Sequence, residues 1–266
     1  MKILIVGGGN MGLTYAKSLL NAHIVTEESM MILEKSNEKA EKIRDLKVGT
    51  VFGEPDAYIK EADLIILAVK PQDSDILFNK IKGFIDHQQV VLSIMAGIPI
   101  EKISKALDCR KIIRAMPNLP AQVGSGMTVY TSSENVTRIE LVMVQNILNS
   151  TGKTIYVDSE ELIDASTAIS GSGPAYVFFY IQSLIDSAQK LGFSQSQAEL
   201  LAYTTFKGTI NLFNKHNFSC EEWISKVASR GGTTEAALNS YKSNDVKAKL
   251  GEAYLAAFNR ARELSK

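Results

Sequence analysis

Short apolar runs without alternation dominate the first 160 residues of the sequence. Five of them alternate with segments of helical spacing, at residues 2–6, 30–33, 63–69, 90–95 and 111–116. Continuous apolar runs of this length are typical of strands buried on both faces of a parallel sheet. Two further candidate strands, 126–131 and 154–157, flank a predicted helix over 134–150 and would complete the sheet edge. The pattern predicts a doubly wound α/β domain with a mostly parallel sheet.

Beyond about residue 158 the pattern becomes helical. Apolar residues recur at steps of three and four over 177–191, and Gly192 follows where a helix would end. Ser194 and Gln197 have the spacing of a capping box, which predicts another helix running to about residue 214. This half of the chain is therefore predicted to be all-α.

Proline and one apolar helix support a division into two domains. All six prolines lie at or before Pro174, so the last 92 residues contain none. We predict one domain over residues 1–158 and an all-helical domain over residues 159–266. The segment AYVFFYI (175–181) is apolar on every side, which predicts burial all round. Burial against a second copy of the chain would make a dimer, and a central core helix is the alternative.

A glycine-rich turn joins the first predicted strand to the first predicted helix. Its sequence fits G-x-G-x-x-G with Gly7, Gly9 and Gly12. In a βαβ setting the first glycine permits a tight turn, the second lets the backbone approach a pyrophosphate, and the third lets helix and strand pack closely. The helix N-terminus adds free N–H groups and the positive end of its dipole. The turn therefore predicts a Rossmann-type dinucleotide site.

The end of the second predicted strand bears on the choice of cofactor. Glu34, 22 residues after Gly12, would accept hydrogen bonds from a ribose 2′-OH and favours NAD. Lys35 and Ser36 follow at once and suit the 2′-phosphate of NADP. The two signals conflict, so NADP and NAD both stay open. Solvated charges at a strand end are the other interpretation of Glu34 and Lys35.

Composition limits the possible partners. The 29 basic side chains balance 29 acidic ones, which gives no reason to expect nucleic-acid binding. No apolar run approaches the ~20 residues that span a bilayer, and the start of the chain lacks a cleavable signal pattern. Cys109 and Cys220 are far apart in sequence, which predicts neither a disulfide nor a metal site. We expect a cytoplasmic protein without a membrane partner.

The histidines constrain the chemistry. Hydride transfer to a ketone needs an acid such as His, Lys or zinc beside the carbonyl. His23, His87 and His216 all lie in contexts typical of the surface. A protonated imine is already electrophilic, so its reduction needs mainly positioning, carboxylate recognition and one hydrogen-bond partner for nitrogen. A second glycine-rich loop, at residues 229–234, has groups suited to these tasks.

Six ordered blocks of sequence run through the whole chain. They are GGGNMG (7–12), LAVKPQ (67–72), SIMAG (93–97), IIRAMPNLP (112–120), AISGSGPAYVF (168–178) and SRGGTTEAAL (229–238). Together they resemble the pyrroline-5-carboxylate reductase family over essentially its full length. The resemblance implies a Rossmann domain followed by an all-α dimerisation domain that interlocks with its twin. It also implies reduction of 1-pyrroline-5-carboxylate to L-proline by hydride from nicotinamide C4 of NADPH or NADH, the last step of proline biosynthesis.

The resemblance implies roles for individual residues. The cofactor would contact Gly7, Gly9, Asn10, Met11, Gly12, Ala68, Val69, Lys70 and Pro71, with Ala96, Gly97 and Asn118 on the nicotinamide side. The substrate would contact Ser229, Gly231, Gly232, Thr233 and Thr234, with Ser172 nearby. Backbone N–H groups at the helix start would bind the carboxylate. The Thr234 hydroxyl, as the catalytic group, would hydrogen-bond the ring nitrogen. Since the family assembles this site across the dimer, the loop would serve the other chain's cofactor.

Simpler interpretations of the two late motifs also stay open. Thr233 is alternatively the N-cap of a helix that follows a turn. The two interpretations are compatible, because a capped helix start is itself an anion site. The segment SGSGPAY is alternatively a loop at which a helix restarts at Pro174.

Three residues depart from the family pattern. Arg230 stands where proline is usual, Leu119 replaces the threonine of MPNTP, and Asn217 lies near where a carboxylate could meet the imine nitrogen. Arg230 is either a carboxylate clamp or a solvated side chain. A paralogous reductase of another cyclic imino acid, and a non-catalytic dinucleotide-binding dimer, are therefore the alternative functions. An assembly of such dimers is also open.

Overall fold

A computed structural model describes residues 1–264 of the chain. Two compact units are present: Met1–Ser172 together with the C-terminal segment from Ala257 form one, and Gly173–Ala256 form the other. The functional boundary predicted near residue 158 stays a prediction. No helix within residues 1–264 combines the length and the apolar character needed to cross a membrane.

The first unit contains an eight-stranded sheet. Its strands are β1 (Ile3–Val6), β2 (Met30–Leu33), β3 (Thr50–Phe52), β4 (Leu64–Leu67), β5 (Val90–Ser93), β6 (Ile112–Met116), β7 (Gly126–Ser132) and β8 (Gly152–Tyr156). Their spatial order is β3-β2-β1-β4-β5-β6-β7-β8. Six neighbouring pairs are parallel, and β6 pairs with β7 antiparallel. The predicted doubly wound, mostly parallel sheet is confirmed.

Helices pack on both faces of this sheet because alternate strand residues point to opposite sides. They are α1 (Asn10–Asn21), α2 (Asn37–Asp45), α3 (Ser74–Ile81), α4 (Ile100–Leu107), α5 (Arg138–Asn149) and α6 (Glu160–Ser166). Ile3 and Ile5 of β1 belong to one buried cluster with residues of α1 and α5. Leu4 and Val6 belong to the other, with residues of α3 and α4. Strands β1, β2 and β4 are apolar throughout because both of their faces are covered.

The second unit is helical. It contains α7 (Gly173–Lys190), α8 (Gln195–Phe213), α9 (Cys220–Val227), α10 (Thr233–Ser243) and the start of α11 (Val246–Leu264). Gly192, with φ +101°, follows the end of α7 as predicted. The predicted capping box also forms, since the Ser194 N–H donates a 3.0 Å bond to the Gln197 side chain.

The apolar helix predicted over 175–181 lies within α7. Phe178 and Phe179 are 62% and 70% exposed. The segment is therefore not buried in the core of its own chain, and the alternative of a central core helix is wrong. These side chains leave an apolar surface on the second unit.

Two element boundaries differ from those expected. Strand β3 was not predicted, because it has only three residues and none of them is fully buried. The helix expected over 134–150 begins later, at Arg138. Its start is set by Thr137, whose side chain accepts a bond from the Glu140 N–H while Glu140 accepts one from the Thr137 N–H.

Candidate active site

The first glycine turn has the geometry that its motif predicts. Gly7 follows β1 with φ +108°, and its N–H donates a 2.9 Å bond to the Leu33 carbonyl of β2. A Cβ on Gly12 would lie 2.0 Å from the Gly7 carbonyl oxygen. A Cβ on Gly9, which caps the start of α1, would meet no protein atom within 4 Å. The turn therefore packs tightly at Gly12 and is open at Gly9.

A cleft of about 290 Å³ lies beyond the carboxyl ends of β1, β2 and β4. This edge of a doubly wound sheet is where such folds bind ligands. The cleft brings together seven of the predicted cofactor residues: Gly7, Gly9, Glu34, Lys35, Ala68, Val69 and Lys70. It is also lined by residues that the sequence analysis did not identify: Lys39, Gly53, Glu54, Pro55, Ile76 and Lys80. Gly53, Glu54 and Pro55 form a turn after β3, and this glycine–proline turn could have been recognised in the sequence.

Glu34 is built into the glycine turn. Its side chain is buried, and one carboxylate oxygen accepts a 3.0 Å bond from the Gly8 N–H. The other oxygen accepts a 2.9 Å bond from the Ser36 N–H. The interpretation of Glu34 as a solvated charge is therefore wrong. Its carboxylate ties the turn after β1 to the corner between β2 and α2.

Lys35 and Ser36 lie at that same corner. The Lys35 side chain is 75% exposed, and its Nζ is 3.4 Å from the Asp73 carboxylate. Ser36 caps α2, since its hydroxyl accepts a 3.4 Å bond from the Lys39 N–H. Two exposed cations, Lys35 and Lys39, thus line the cleft beside the start of a helix.

Predicted cofactor residues around the cleft also lie at the start of α1 and after the end of β4. Asn10 and Met11 are the first residues of α1. Ala68 follows β4, with its N–H bonded to the Val6 carbonyl at 2.8 Å. Lys70 and Pro71 begin the short 3₁₀ turn that leads into α3.

The predicted nicotinamide-side residues lie beyond β5 and β6. Ala96 and Gly97 follow β5. Gly97 has φ +70°, and a Cβ added at this position would lie 2.9 Å from the Cβ of Leu264. The Asn118 side chain donates a 3.0 Å bond to the Ser170 carbonyl and accepts a 2.9 Å bond from the Met127 N–H. Its amide is therefore bound to protein at both ends, and contact between Asn118 and cofactor stays a prediction.

A buried ion cluster lies beneath these segments. Arg114 of β6 has a 1% exposed side chain and pairs with Glu160 at 2.9 Å and with Asp164 at 2.6 Å. This cluster was not predicted from the sequence. An arginine inside the otherwise apolar run of β6 was the available signal, because a buried guanidinium requires carboxylate partners.

Ser172 follows an unusual turn at the end of the first unit. Residues Thr167–Gly171 form one π-helical turn, and the Ser172 N–H donates a 2.8 Å bond to the Thr167 carbonyl. Helix α7 then begins at Gly173 with Pro174 in its first turn, as expected for a restarted helix. Such π-turns are frequent at functional sites.

The second glycine loop forms a compact bend before α10. Gly231 has φ +73°, and the Gly232 N–H donates a 3.0 Å bond to the Ser229 carbonyl. The cap of α10 is Gly232, so the interpretation of Thr233 as the N-cap is wrong, and Thr233 and Thr234 are the first two helical residues. The Gly231 N–H donates a 2.7 Å bond to the Glu235 carboxylate. This bend therefore already binds one carboxylate, that of its own chain.

The departures from the family pattern are all exposed. Arg230 and Asn217 lie on loops of the second unit, and Leu119 is 48% exposed in the first. His216 packs against Phe218 and Trp223 rather than facing a charged partner. Within residues 1–264 there is no group of three or more His, Cys, Asp or Glu side chains that could hold a metal ion.

Comparisons with known proteins cover both parts of the chain. The family described as pyrroline-5-carboxylate reductase dimerisation matches residues 160–264. The family described as NADP oxidoreductase, coenzyme F420-dependent, matches residues 2–97. These matches agree with the glycine-turn domain and the helical region described above.

Three individual proteins match along nearly their whole length. The pyrroline-5-carboxylate reductase of Aquifex aeolicus is 35% identical, covering 99% of this chain and 97% of that protein. The structure of the Plasmodium falciparum pyrroline carboxylate reductase with NADP bound is 30% identical with a TM-score of 0.89, covering 100% of this chain and 98% of that one. The Coxiella burnetii pyrroline-5-carboxylate reductase is 31% identical with a TM-score of 0.89, at the same coverage. The predicted resemblance is confirmed, and the chain belongs to the pyrroline-5-carboxylate reductase family.

Proposed function

We propose that this enzyme reduces 1-pyrroline-5-carboxylate to L-proline with NADPH or NADH, in the cytoplasm, as the last step of proline biosynthesis. The observation that carries the proposal is the cleft over the open glycine turn, in a chain that belongs to this family. The carboxyl edge of a doubly wound sheet is suited to a dinucleotide. We assign dinucleotide binding to residues 1–158, and dimerisation and substrate binding to residues 159–266.

The residues of the glycine turn fit a dinucleotide pyrophosphate. The backbone at Gly9 is free of neighbouring protein atoms on its Cβ side. The first N–H groups of α1 lack intrahelical partners and sit at the positive end of the helix dipole. Asn10 and Met11 supply such groups. When bound, the reduced nicotinamide supplies a hydride from C4.

The adenosine end of the cofactor would lie at the corner between β2 and α2. Glu34 holds this corner in shape through its two backbone bonds. Lys35, Lys39 and Ser36 offer cationic and hydroxyl groups to a 2′-phosphate. Since the Glu34 carboxylate is engaged with Gly8 and Ser36, these neighbours favour NADPH, with NADH as a second donor.

The bend at residues 229–234 would bind the imino acid. Its N–H groups at the start of α10 suit a carboxylate, as the bond from Gly231 to Glu235 illustrates. The Thr234 hydroxyl would hydrogen-bond the ring nitrogen. Because a protonated imine is already electrophilic, the site needs no histidine to supply a proton during hydride transfer.

We propose that the active form is a homodimer, alone or in an assembly of dimers. Large apolar side chains of α7 and α8 are exposed, among them Phe178, Phe179 and Leu200 at 62%, 70% and 66%. An apolar surface of this kind on one unit is suited to burial against a second copy. In such a dimer the bend at residues 229–234 would serve the partner's cofactor.

Steady-state assays test this function directly. When the enzyme is mixed with 1-pyrroline-5-carboxylate and either NADPH or NADH, the absorbance of the reduced nicotinamide should fall and proline should form. A series of cyclic imino acids of different ring size separates the five-membered substrate from a six-membered homologue. Cofactor binding without reduction of any imine would instead favour a non-catalytic dinucleotide-binding dimer. Absence of turnover with both nicotinamides would overturn the proposal.

A further inference from the structure

Glu160 connects three elements of the first unit. It is the first residue of α6, and one of its carboxylate oxygens accepts a 2.9 Å bond from Arg114 of β6. The same oxygen accepts a 3.0 Å bond from the backbone N–H of Ile100, the first residue of α4. A single carboxylate thus joins two segments that are 60 residues apart in sequence.

This bond replaces a cap that α4 lacks locally. The first N–H groups of a helix have no intrahelical partners and are usually satisfied by the side chain of the N-cap residue. The N-cap of α4 is Pro99, and no side-chain bond caps this helix locally. A carboxylate at this position satisfies one free N–H and interacts favourably with the helix dipole. Glu160 therefore supplies the side-chain cap at Ile100.

The segment just before Ile100 is the one that we expect beside the nicotinamide. It runs over residues 96–99 between β5 and α4 and contains Gly97 at φ +70°. Two residues before it, the Ile94 N–H donates a 3.0 Å bond to the Leu67 carbonyl of β4. At its end, the bond between Ile100 and Glu160 is the anchor. The loop is thus held at one end by the sheet and at the other by α6.

Arg114 fixes the carboxylate that forms this second anchor. Its side chain is 1% exposed, and its two terminal nitrogens bind Glu160 and Asp164 on the same face of α6. A guanidinium held by two carboxylates has a defined orientation. Glu160 is therefore oriented toward the Ile100 N–H by its bond to a buried guanidinium.

We propose that Glu160 is a positioning residue for hydride transfer. It sets the nicotinamide-side segment 96–99 through the Ile100 N–H, and so sets the distance between the hydride donor and the imine carbon. This inference rests on the proposed function, in which Ala96 and Gly97 lie beside the nicotinamide. Misplacement by about 1 Å can lower a rate by as much as 10²-fold, even from outside the reacting groups.

Three variants separate positioning from stability. Glu160→Ala removes the bond to Ile100 and one Arg114 contact. Glu160→Gln keeps an oxygen that can accept both bonds but removes the charge. Asp164→Asn is the control, since it removes a charge from the same arginine, keeps an oxygen that can accept the Arg114 bond, and leaves the bond from Ile100 to Glu160 in place. Each variant is assayed for kcat, KM, Kd of NADPH, thermal unfolding and the primary isotope effect with 4-deuterated NADPH.

The expected pattern is specific. Glu160→Ala should lower kcat by about tenfold or more, with the Kd of NADPH within about twofold and a larger isotope effect. Glu160→Gln should recover most of the lost kcat. Asp164→Asn should lower the unfolding temperature at least as much as Glu160→Ala and retain kcat. An unchanged kcat in folded Glu160→Ala, or an equal fall in Asp164→Asn, would overturn the inference.

Hydrogen exchange tests the anchor without catalysis. Peptides covering residues 94–100 should exchange faster in Glu160→Ala than in wild type, Glu160→Gln or Asp164→Asn. Unchanged exchange in Glu160→Ala would overturn the anchoring role. If the wild-type enzyme reduced no imine, the proposed function would fail, and the exchange experiment would still decide whether Glu160 holds this segment.

Discussion

The Gly231 N–H and the Glu235 carboxylate form a 2.7 Å hydrogen bond within the bend that precedes α10. The bend is the proposed site for the substrate carboxylate, so Glu235 places a negative charge where the substrate brings another. Glu235→Gln keeps an acceptor for Gly231 and removes the charge. We expect its KM for the imino acid to fall by about 2- to 5-fold at low salt with kcat unchanged, the size of an exposed charge interaction.

Salt and position provide the controls for this variant. The difference in KM should shrink as ionic strength rises, because exposed charges are screened. Glu252→Gln removes an exposed charge from α11 of the same unit and should leave KM unchanged. An unchanged or higher KM in Glu235→Gln would show that the bend does not receive the substrate carboxylate.

Gly9 permits a clean test of the dinucleotide site. A Cβ at this position meets no protein atom within 4 Å, so Gly9→Val should leave the fold intact. Its side chain would fill the space that the pyrophosphate needs, and nucleotide binding should be lost in a titration followed by cofactor fluorescence. Gly83→Val is the control, since a Cβ at Gly83 also meets no protein atom within that distance. Retained affinity in Gly9→Val, with circular dichroism unchanged, would exclude the turn as the pyrophosphate site.

The Thr234 hydroxyl is expected to act on the reacting imine rather than on the cofactor. Thr234→Ala should lower kcat by roughly 10- to 100-fold, the range for losing one hydrogen bond to a charged group such as the protonated imine. The Kd of NADPH should be unchanged. Thr234→Ser keeps the hydroxyl and should retain most of the activity. A wild-type rate for Thr234→Ala would remove this residue from the mechanism.

Lys35 and Lys39 are expected to distinguish NADPH from NADH. Both line the cleft at the corner where the ribose is expected. Replacing both by Gln should lower the ratio of kcat/KM for NADPH to that for NADH by ~3- to 10-fold, because a charged partner of the 2′-phosphate is lost. Lys42→Gln is the control, since Lys42 lies on the same helix but pairs with Glu38. An unchanged ratio would place the 2′-phosphate elsewhere.

The exposed phenylalanines of α7 are expected to lie in the dimer interface. Phe179→Glu puts a charge on a 70% exposed apolar position and should produce a monomer in light scattering. NADPH binding should persist, because the cleft belongs to the first unit. Ile139→Glu, at an 83% exposed apolar position on α5, is the control and should leave the dimer intact. A dimeric Phe179→Glu variant would show that α7 does not form the interface.

The sequence predicted best those strands that are buried on both faces. β1, β2 and β4 are apolar throughout because helices cover both of their sides, and this gives a continuous apolar run in the sequence. The helix α8 was located by its capping box, a local signal of four residues. β3 escaped because three half-exposed residues carry too little periodicity to distinguish a strand from a loop.

Some contacts at the site could not be predicted, because they join residues that are distant in sequence and produce no repeating pattern of apolar and polar residues. The sequence did not indicate that the Glu34 carboxylate binds the backbone of Gly8 and Ser36, and a role for Glu34 at the ribose stays a prediction. Arg114 and Glu160 are 46 residues apart and meet only after the sheet and α6 have packed. Motif spacing identifies groups on one turn, whereas these pairs are formed by tertiary packing.

A crystal structure with NADP⁺ and L-proline would show where cofactor and product bind. We expect the pyrophosphate over Gly9 and the proline carboxylate within hydrogen-bond distance, about 3 Å, of the N–H groups of residues 231–234. We also expect the Thr234 hydroxyl beside the ring nitrogen. Proline bound away from this bend, or a nucleotide outside the cleft at Gly9, would contradict this arrangement.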